Sequence, residues 1–294
     1  MRRFKEKMLE MKCFVAFFIG SFLASSLVAQ TAGKKESSDL VPITSGIVDQ
    51  RDFADSANGC GPASILNMLK FSRGDYLNAY LKVLGSSEGV KMRFLVDRYF
   101  KNRKSVTFPA AKRWMPSGIQ SADLYTGLNE FLKDEGIPEL NGTYLDLQKG
   151  ETEANHIVRC HDLIAASIRS GVMPILSLRS YLVKRREKND FEPRWETGVH
   201  HYVVVTAVTK PPSDTGFEIE VLEPWRGKKT TLYIHREANG QAFRALKGIE
   251  KNGNWLGGMP FLQVIAHDLP SLSPGSREWS DRFIIVANFL IGEF

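Results

Sequence analysis

Cysteine is scarce in this 294-residue sequence, which contains only Cys13, Cys60 and Cys160. Small secreted domains held together by disulfides carry many more cysteines, so a disulfide scaffold is excluded. Hydrophobic residues make up 43% of the chain and charged residues 24%, with 24 glycines and 13 prolines. This composition excludes collagen and coiled coil, and it is not that of a disordered chain. We therefore expect a globular protein in which each cysteine can be considered individually.

Charge of one sign is in slight excess, since 39 Lys and Arg residues stand against 33 Asp and Glu, a net charge of +6. Half of this excess lies in residues 1–30, which carry five basic and two acidic side chains. Without residues 1–30 the net charge is +3. A mildly basic domain needs no polyanion partner, so no nucleic-acid partner is predicted.

The one long hydrophobic run, Cys13–Ala29, is uncharged and follows the basic residues 1–12. This order is typical of a secretory signal peptide. The run is short for a membrane-spanning helix, and small or polar residues after Ala24 favour cleavage, although an uncleaved N-terminal anchor is the alternative. We predict a signal peptide over 1–30, a linker over 31–45 and one domain over 46–294. The mature protein would be secreted or periplasmic, with no membrane attachment.

Helical patterns precede strand patterns along the rest of the chain. Apolar residues at helical spacing predict helices over about 61–71, 75–100 with a break near 85–89, 122–135 and 153–169. Strand-like runs with alternating apolar residues follow, namely VMPILSLRS, HYVVVTAV, FEIEVLEP, TTLYIH, FLQVIAHD and RFIIVANFLI. The predicted fold class is α+β, with N-terminal helices packed on a C-terminal antiparallel sheet.

Cys60 is the candidate nucleophile. It lies between a glycine-containing turn and the predicted start of a helix, in the sequence NGCGPASILNML. Unpaired N–H groups at a helix N-terminus favour the thiolate, which is the reactive form of cysteine. The alternative is a small buried residue at a tight helix entry, because free cysteine often lies in the core.

A histidine and a carboxylate could serve as the base and its orienting group. If HYVVVTAV and FEIEVLEP form a hairpin in which 207 pairs with 217, His201 lies directly opposite Glu223. Their side chains then close an otherwise apolar row, whereas His200 and Glu220 face the other side. A carboxylate at this distance can hold the tautomer and orientation of an imidazole. The alternative is a structural histidine paired with a carboxylate at the edge of the sheet.

Three segments together resemble a known family. NGCGPASILNML, followed about 140 residues later by HHYVVVTAV and then VLEPW, is similar to the papain-like cysteine peptidases related to the leader-peptide peptidase of bacteriocin exporters. The match covers some 30 residues and includes no exporter module. The resemblance implies a papain-like fold and a peptide or protein substrate. It assigns Cys60 as nucleophile, His201 as general base and Glu223 as orienting acid.

Two positions depart from the family pattern. Glu223 precedes Pro224 where the family usually has Asp, and Ala54 stands where a Gln about six residues before the cysteine usually completes the oxyanion hole. Gln50 is predicted to take this role if the residues between it and Cys60 bulge, and Asn58 is the poorer substitute. Loss of one oxyanion donor typically lowers the rate by about 10²–10³.

Other functions stay open at this point. The same fold without turnover would be an extracytoplasmic binding or structural domain, and the same thiol could transfer acyl groups to an amine instead of water. His156 and Cys160 lie four residues apart on one helical face, but no second cluster completes a metal site, so no metal and no cofactor are predicted. Cys160 could instead form a disulfide with Cys60, which would abolish catalysis.

Overall fold

A computed structural model describes residues 46–184, 194–208, 211–236, 243–244, 260–269, 272 and 283–294. The predicted signal peptide and linker, residues 1–45, lie outside the described residues. Among the described helices, none combines the length and the apolar character that a membrane span requires.

The helices begin and end close to their predicted positions, which confirms these predictions. They are α1 (Cys60–Phe71), α2 (Asp75–Lys82), α3 (Glu88–Leu95, continued by a π-helical turn over Val96–Phe100), α4 (Ser121–Asp134) and α5 (Glu153–Ser170). Local chemistry explains the ends of α5. The Thr152 side chain accepts a hydrogen bond from the Asn155 N–H, and Gly171 ends the helix in the left-handed conformation at φ 91°.

Each predicted apolar run contains a strand, but β3 begins seven residues before its predicted run, and the short strands β1 and β6 were not predicted. They are β1 (Asn141–Tyr144), β2 (Ile175–Lys184), β3 (Arg194–Val208), β4 (Gly216–Glu223), β5 (Lys228–His235), β6 (Phe243–Arg244), β7 (Pro260–Phe261), β8 (Gln263–Ile265) and β9 (Phe283–Gly292). The large sheet has the order β1-β9-β2-β3-β4-β5-β8, and all neighbours are antiparallel. Strands β6 and β7 form a separate pair.

The predicted papain-like arrangement of N-terminal helices packed on a C-terminal antiparallel sheet is wrong. Strands β9, β2, β3, β4, β5 and β8 close into a six-stranded antiparallel barrel, and β1 pairs with β9 outside it. The barrel closes where Gln263 of β8 pairs with Val286 of β9, and there the Ala287 N–H donates to the Leu262 carbonyl at 3.2 Å. Period-two patterning determines which face of a strand is apolar, but it does not say whether the first and last strands meet.

Alternate side chains of the barrel strands form one apolar core with α5. Its members include Leu176, Leu178, Val203, Val205, Ile219, Val221 and Ile234 of the strands and Ile157, Cys160 and Ile164 of α5. Tyr202 lies on the opposite side of β3. Its hydroxyl donates to the Ile119 carbonyl at 2.8 Å, and its backbone carbonyl accepts from Ser64 of α1 at 3.1 Å. Strand β3 is therefore bound on this side to α1 and to the residues just before α4.

Candidate functional site

Cys60 is the first residue of α1 and follows two short 3₁₀ turns, Gln50–Asp52 and Ser56–Asn58. Its side chain is buried but not sealed, with 8% of the residue exposed. The N–H groups of a first helical turn have no partner inside the helix, and their partial positive charge stabilises an anion. The thiol therefore lies at the first turn of α1, and a small part of the residue is open to solvent.

His201 of β3 lies between Cys60 and Glu223. Its Nε2–H donates to Glu223 Oε1 at 2.8 Å, and the Cys60 thiol lies close enough to the ring to contribute to the raised pKa of His201. Because Nε2 is occupied by the carboxylate, Nδ1 is the ring nitrogen that serves the thiol. Glu223 Oε1 accepts a second hydrogen bond, from the Trp225 N–H at 2.8 Å. The three side chains thus lie in the order thiol, imidazole and carboxylate.

The electrostatics of this chain favour a proton on the imidazole. Burial by itself lowers the pKa of His201, but the hydrogen bonds to Cys60 and Glu223 and the charges of these groups raise that pKa to about 9. Burial raises the pKa of Glu223, yet the hydrogen bond and charge of His201, with the Trp225 N–H, bring the pKa below its usual value. The two shifts agree, and both describe an imidazolium beside a carboxylate.

The strand register differs from the predicted one. Val205 pairs with Val221, where the predicted hairpin paired it with Ile219, and a bulge at Thr206 shifts the register before Ala207 pairs with Glu220. Continued by the same spacing, this register sets Glu223 diagonal to His201, not opposite it. A two-residue difference leaves the faces unchanged, so both side chains still lie on one side. A diagonal neighbour is about 7–8 Å away between backbones, a separation that a long side chain can bridge.

Gln50 lies directly against the residue before the nucleophile. A Cβ added to Gly59 would be 3.2 Å from Gln50 Cβ. The Gln50 side chain is 3% exposed and its Nε2 donates to the Ser56 carbonyl at 2.7 Å, while its backbone N–H donates to the Pro224 carbonyl at 2.8 Å. The two 3₁₀ turns therefore fold residues 51–59 back so that Gln50 touches the start of α1. Asn58, the poorer candidate, binds the Asp55 carboxylate instead.

The remaining candidates of the sequence lie elsewhere. Cys160 is a free thiol, as is Cys60, and it is buried in the barrel core, where burial raises its pKa to about 12. The possible Cys60–Cys160 disulfide is thus not formed. His156 binds the Leu145 carbonyl at 2.8 Å through Nε2, as a buried structural histidine. Within the part of the chain that is described, no three His, Cys, Asp or Glu side chains group as metal ligands.

His200 belongs to a polar cluster on the other side of β3. Its Nε2 lies 2.6 Å from the Ser177 hydroxyl and 3.2 Å from the Ser121 hydroxyl. Burial, together with the charges of Arg179 and His201, lowers the pKa of His200 well below its usual value, so this ring is neutral. The two adjacent histidines therefore face opposite sides and carry different charges, and His201 is the one at the thiol.

Sequence reasoning missed two polar residues of α1. Ser64 and Asn67 are fully buried and follow Cys60 at spacings of four and three residues, which place all three on one helical face. Ser64 binds the Tyr202 carbonyl, and Asn67 binds both backbone polar groups of Val48. The signal was available in the sequence, since polar residues recurring at this spacing in an otherwise apolar helix require buried partners.

No protein-family model, no curated protein and no solved structure matches this chain. The resemblance to cysteine peptidases therefore stays a prediction from three short segments, and any functional proposal must rest on the geometry of the site.

Proposed function

We propose that this protein is a thiol hydrolase that cleaves peptide or related amide bonds, with Cys60 as nucleophile, His201 as general base and acid, and Glu223 as orienting acid. The observation that carries the proposal is the buried His201 ring, which donates to the Glu223 carboxylate and lies beside the Cys60 thiol at a helix N-terminus. Nucleophile, base and orienting group within hydrogen-bond reach of one another are the signature of covalent catalysis.

The chemistry of each group follows from its position. The Cys60 sulfur attacks the carbonyl carbon, an S–C bond forms, and the π electrons of the carbonyl move to its oxygen. As the C–N bond breaks, the leaving amine takes a proton from His201 and a thioester remains on Cys60. Water then attacks the thioester while His201 removes its proton, so the carboxylic acid departs and the thiolate is restored. Glu223 holds the ring orientation throughout both steps.

Gln50 supports an oxyanion site beside the nucleophile. Its Cβ lies against Gly59, one residue before Cys60, and one N–H group of its amide donates to the Ser56 carbonyl. A carboxamide has two N–H groups, so the second is available to the oxygen that becomes negative during attack, together with the Cys60 backbone N–H. Preorganised donors of this kind stabilise the transition state and not the resting substrate.

Alkylation of the folded full-length chain tests the nucleophile directly. The rate at which iodoacetamide modifies Cys60 is measured between about pH 5 and 9. We expect this rate to reach half its maximum well below pH 8.5, the midpoint of an ordinary thiol. Cys160 is a control within the same molecule, because its buried thiol should not react until the protein unfolds. A Cys60 that stays unmodified in the folded protein, or reacts only above about pH 8.5, contradicts the proposal.

Turnover is tested on a mixture of synthetic peptides, with Cys60→Ala as the matched inactive variant. Cleavage by the wild type that is absent in Cys60→Ala supports hydrolysis. A reactive Cys60 without cleavage, but with products joined to an added amine, identifies an acyl transferase. If neither cleavage products nor products joined to the amine form, the protein is a binding domain and the hydrolase proposal is wrong.

A further inference from the structure

A fully buried asparagine connects the two halves of the candidate site. Asn67 of α1 is 0% exposed, and its carboxamide binds both backbone polar groups of one residue. Its Oδ1 accepts from the Val48 N–H at 2.7 Å, and its Nδ2 donates to the Val48 carbonyl at 3.1 Å. The segment around Val48 is therefore bound to the middle of the helix that carries the nucleophile at its N-terminus.

The segment bound by Asn67 leads directly into the oxyanion residue. Gln50 is two residues after Val48, and its backbone N–H donates to the Pro224 carbonyl, next to Glu223. Its side chain touches the Gly59 position and binds Ser56. Residues 48–50 thus run between the nucleophile helix and the turn that carries the acid, and Asn67 ties the first of these residues to α1.

A buried asparagine in the middle of a helix stabilises the fold less than an apolar residue of similar size would. Asparagine has low helix propensity, and its amide must be satisfied when it is buried. An apolar residue at this position would pack without these needs, but it would leave the Val48 N–H and carbonyl without this partner. The hydrogen bonds of Asn67 therefore serve to fix the position of residues 48–50.

We infer that Asn67 is a positioning residue of the oxyanion site, which acts through Val48 to hold Gln50 beside Cys60. This inference rests on the proposed thiol chemistry. A displacement of about 1 Å in a catalytic constellation can lower a rate by about 10²-fold, so a loosened segment 48–50 should affect transition-state stabilisation far more than the thiol itself.

The chain contains a matched control. Asn129 of α4 binds Leu140 in the same way, accepting from its N–H at 2.9 Å and donating to its carbonyl at 3.0 Å. It is 6% exposed, and the segment it binds leads into β1, not into the candidate site. Asn67→Ala and Asn129→Ala therefore remove the same pair of hydrogen bonds, and only one of them concerns Gln50.

Two reactions of Cys60 separate the oxyanion site from the nucleophile. Alkylation by iodoacetamide displaces iodide from a saturated carbon and forms no oxyanion. Acetylation by p-nitrophenyl acetate passes through a tetrahedral oxyanion. The thiolate adds to the carbonyl carbon, the C–O bond breaks, p-nitrophenolate leaves with the electron pair, and an acetyl thioester remains on Cys60. The ratio of the two rates, after subtraction of the Cys60→Ala background, reports oxyanion stabilisation without a known substrate.

We expect Asn67→Ala to lower the acetylation rate on the order of tenfold or more, with the alkylation rate and its pH profile changed by less than about twofold. Gln50→Ala should show the same pattern, and Asn129→Ala should leave the ratio at the wild-type value. Asn67→Ser, which keeps a small polar side chain, provides a second variant if Asn67→Ala does not fold.

The outcomes distinguish this inference from the proposed function. An unreactive Cys60 in the wild type overturns the thiol chemistry itself. A reactive Cys60 with a ratio lowered by Gln50→Ala, but unchanged by Asn67→Ala and Asn67→Ser, overturns the role of Asn67 alone. Equal effects of Asn67→Ala and Asn129→Ala would show a general loss of stability and would also overturn it.

Discussion

His201 is held in the charged form by the groups around it, and this has a measurable effect on stability. Its pKa is raised from 6.5 to about 9 in the folded protein. The folded state therefore binds this proton more tightly than the unfolded state does. The stabilising contribution is complete below about pH 6.5 and is lost as the pH rises towards 9. The pKa of Glu223 is lowered in the folded protein, so the ionised carboxylate contributes to stability at higher pH. This contribution is lost as the pH falls through the lowered pKa.

We predict that the difference in melting temperature between the wild type and His201→Gln, measured at each pH, shrinks between about pH 6.5 and 9. The comparison at a common pH removes the contributions of titrating groups that do not interact with His201, because both proteins share them. A difference that is constant across this range would contradict the charge assigned to His201. A difference that grows with pH would indicate that the imidazole is buried in the neutral form.

Most residues of the candidate site could be predicted from the sequence. Cys60 at a helix start, and His201 and Glu223 on one face of neighbouring strands, follow from local patterning. The position of Gln50 could not be derived in this way, because it depends on how residues 51–59 fold back onto α1. The spacing of Asn67 on α1 indicates a buried polar residue, but its partner could not be derived, because Val48 lies in a segment without any periodic pattern.

At the scale of the elements, the register of β3 and β4 explains why the acid is a glutamate. A direct pairing of His201 with residue 223 would suit a shorter acid such as aspartate. The bulge at Thr206 and the pairing of Val205 with Val221 set residue 223 diagonal to His201 instead. The additional methylene of glutamate allows its carboxylate to reach Nε2 at 2.8 Å.

We therefore predict that Glu223→Asp does not preserve the site, although aspartate carries the same charge. The shortened side chain should lose its hydrogen bond to His201, and the pH at which iodoacetamide modifies Cys60 half-maximally should move in the same direction as in Glu223→Gln. An alkylation profile of Glu223→Asp equal to that of the wild type would show that the diagonal arrangement is not required.

The elements themselves were largely predictable, and the register was not. Helix α5, for example, carries its own start at Thr152 and its own end at Gly171, so both limits follow from nearby residues. The bulge in β3 has no comparable local signal. It depends on how two strands fit against the core, which involves residues far apart in the sequence.

At the scale of the whole molecule, closure of the barrel removes the two free edges that an open sheet would have. The seam between β8 and β9 is short, with Gln263 paired to Val286 and the Ala287 N–H bonded to the Leu262 carbonyl. The same strand β9 pairs along its other edge with β2 over most of its length. Strand β9 is therefore the element that joins the last strand of the barrel to the first.

Hydrogen exchange tests this closure. We expect the Ala287 amide to be protected to a degree similar to the amides of β9 that bond to β2, because it donates to the carbonyl of Leu262, the residue just before β8, at the closure of the barrel. An open sheet would leave the Ala287 amide at a free edge. Exchange of this amide much faster than that of its β9 neighbours bonded to β2, under conditions in which the protein stays folded, would contradict the closed barrel.

The sequence by itself determined the helices, most strands, the apolar face of each strand and the residue types of the candidate site. These features depend on side-chain periodicity and on capping residues, which act over a few neighbouring positions. Only the tertiary structure decided that the strands close into a barrel, that Glu223 lies diagonal to His201, and that Asn67 and Gln50 join the site. Each of these depends on contacts between residues distant in the chain, such as Val48 with Asn67 and Leu262 with Ala287. Contacts of this kind form when whole elements pack together, and no local pattern encodes them.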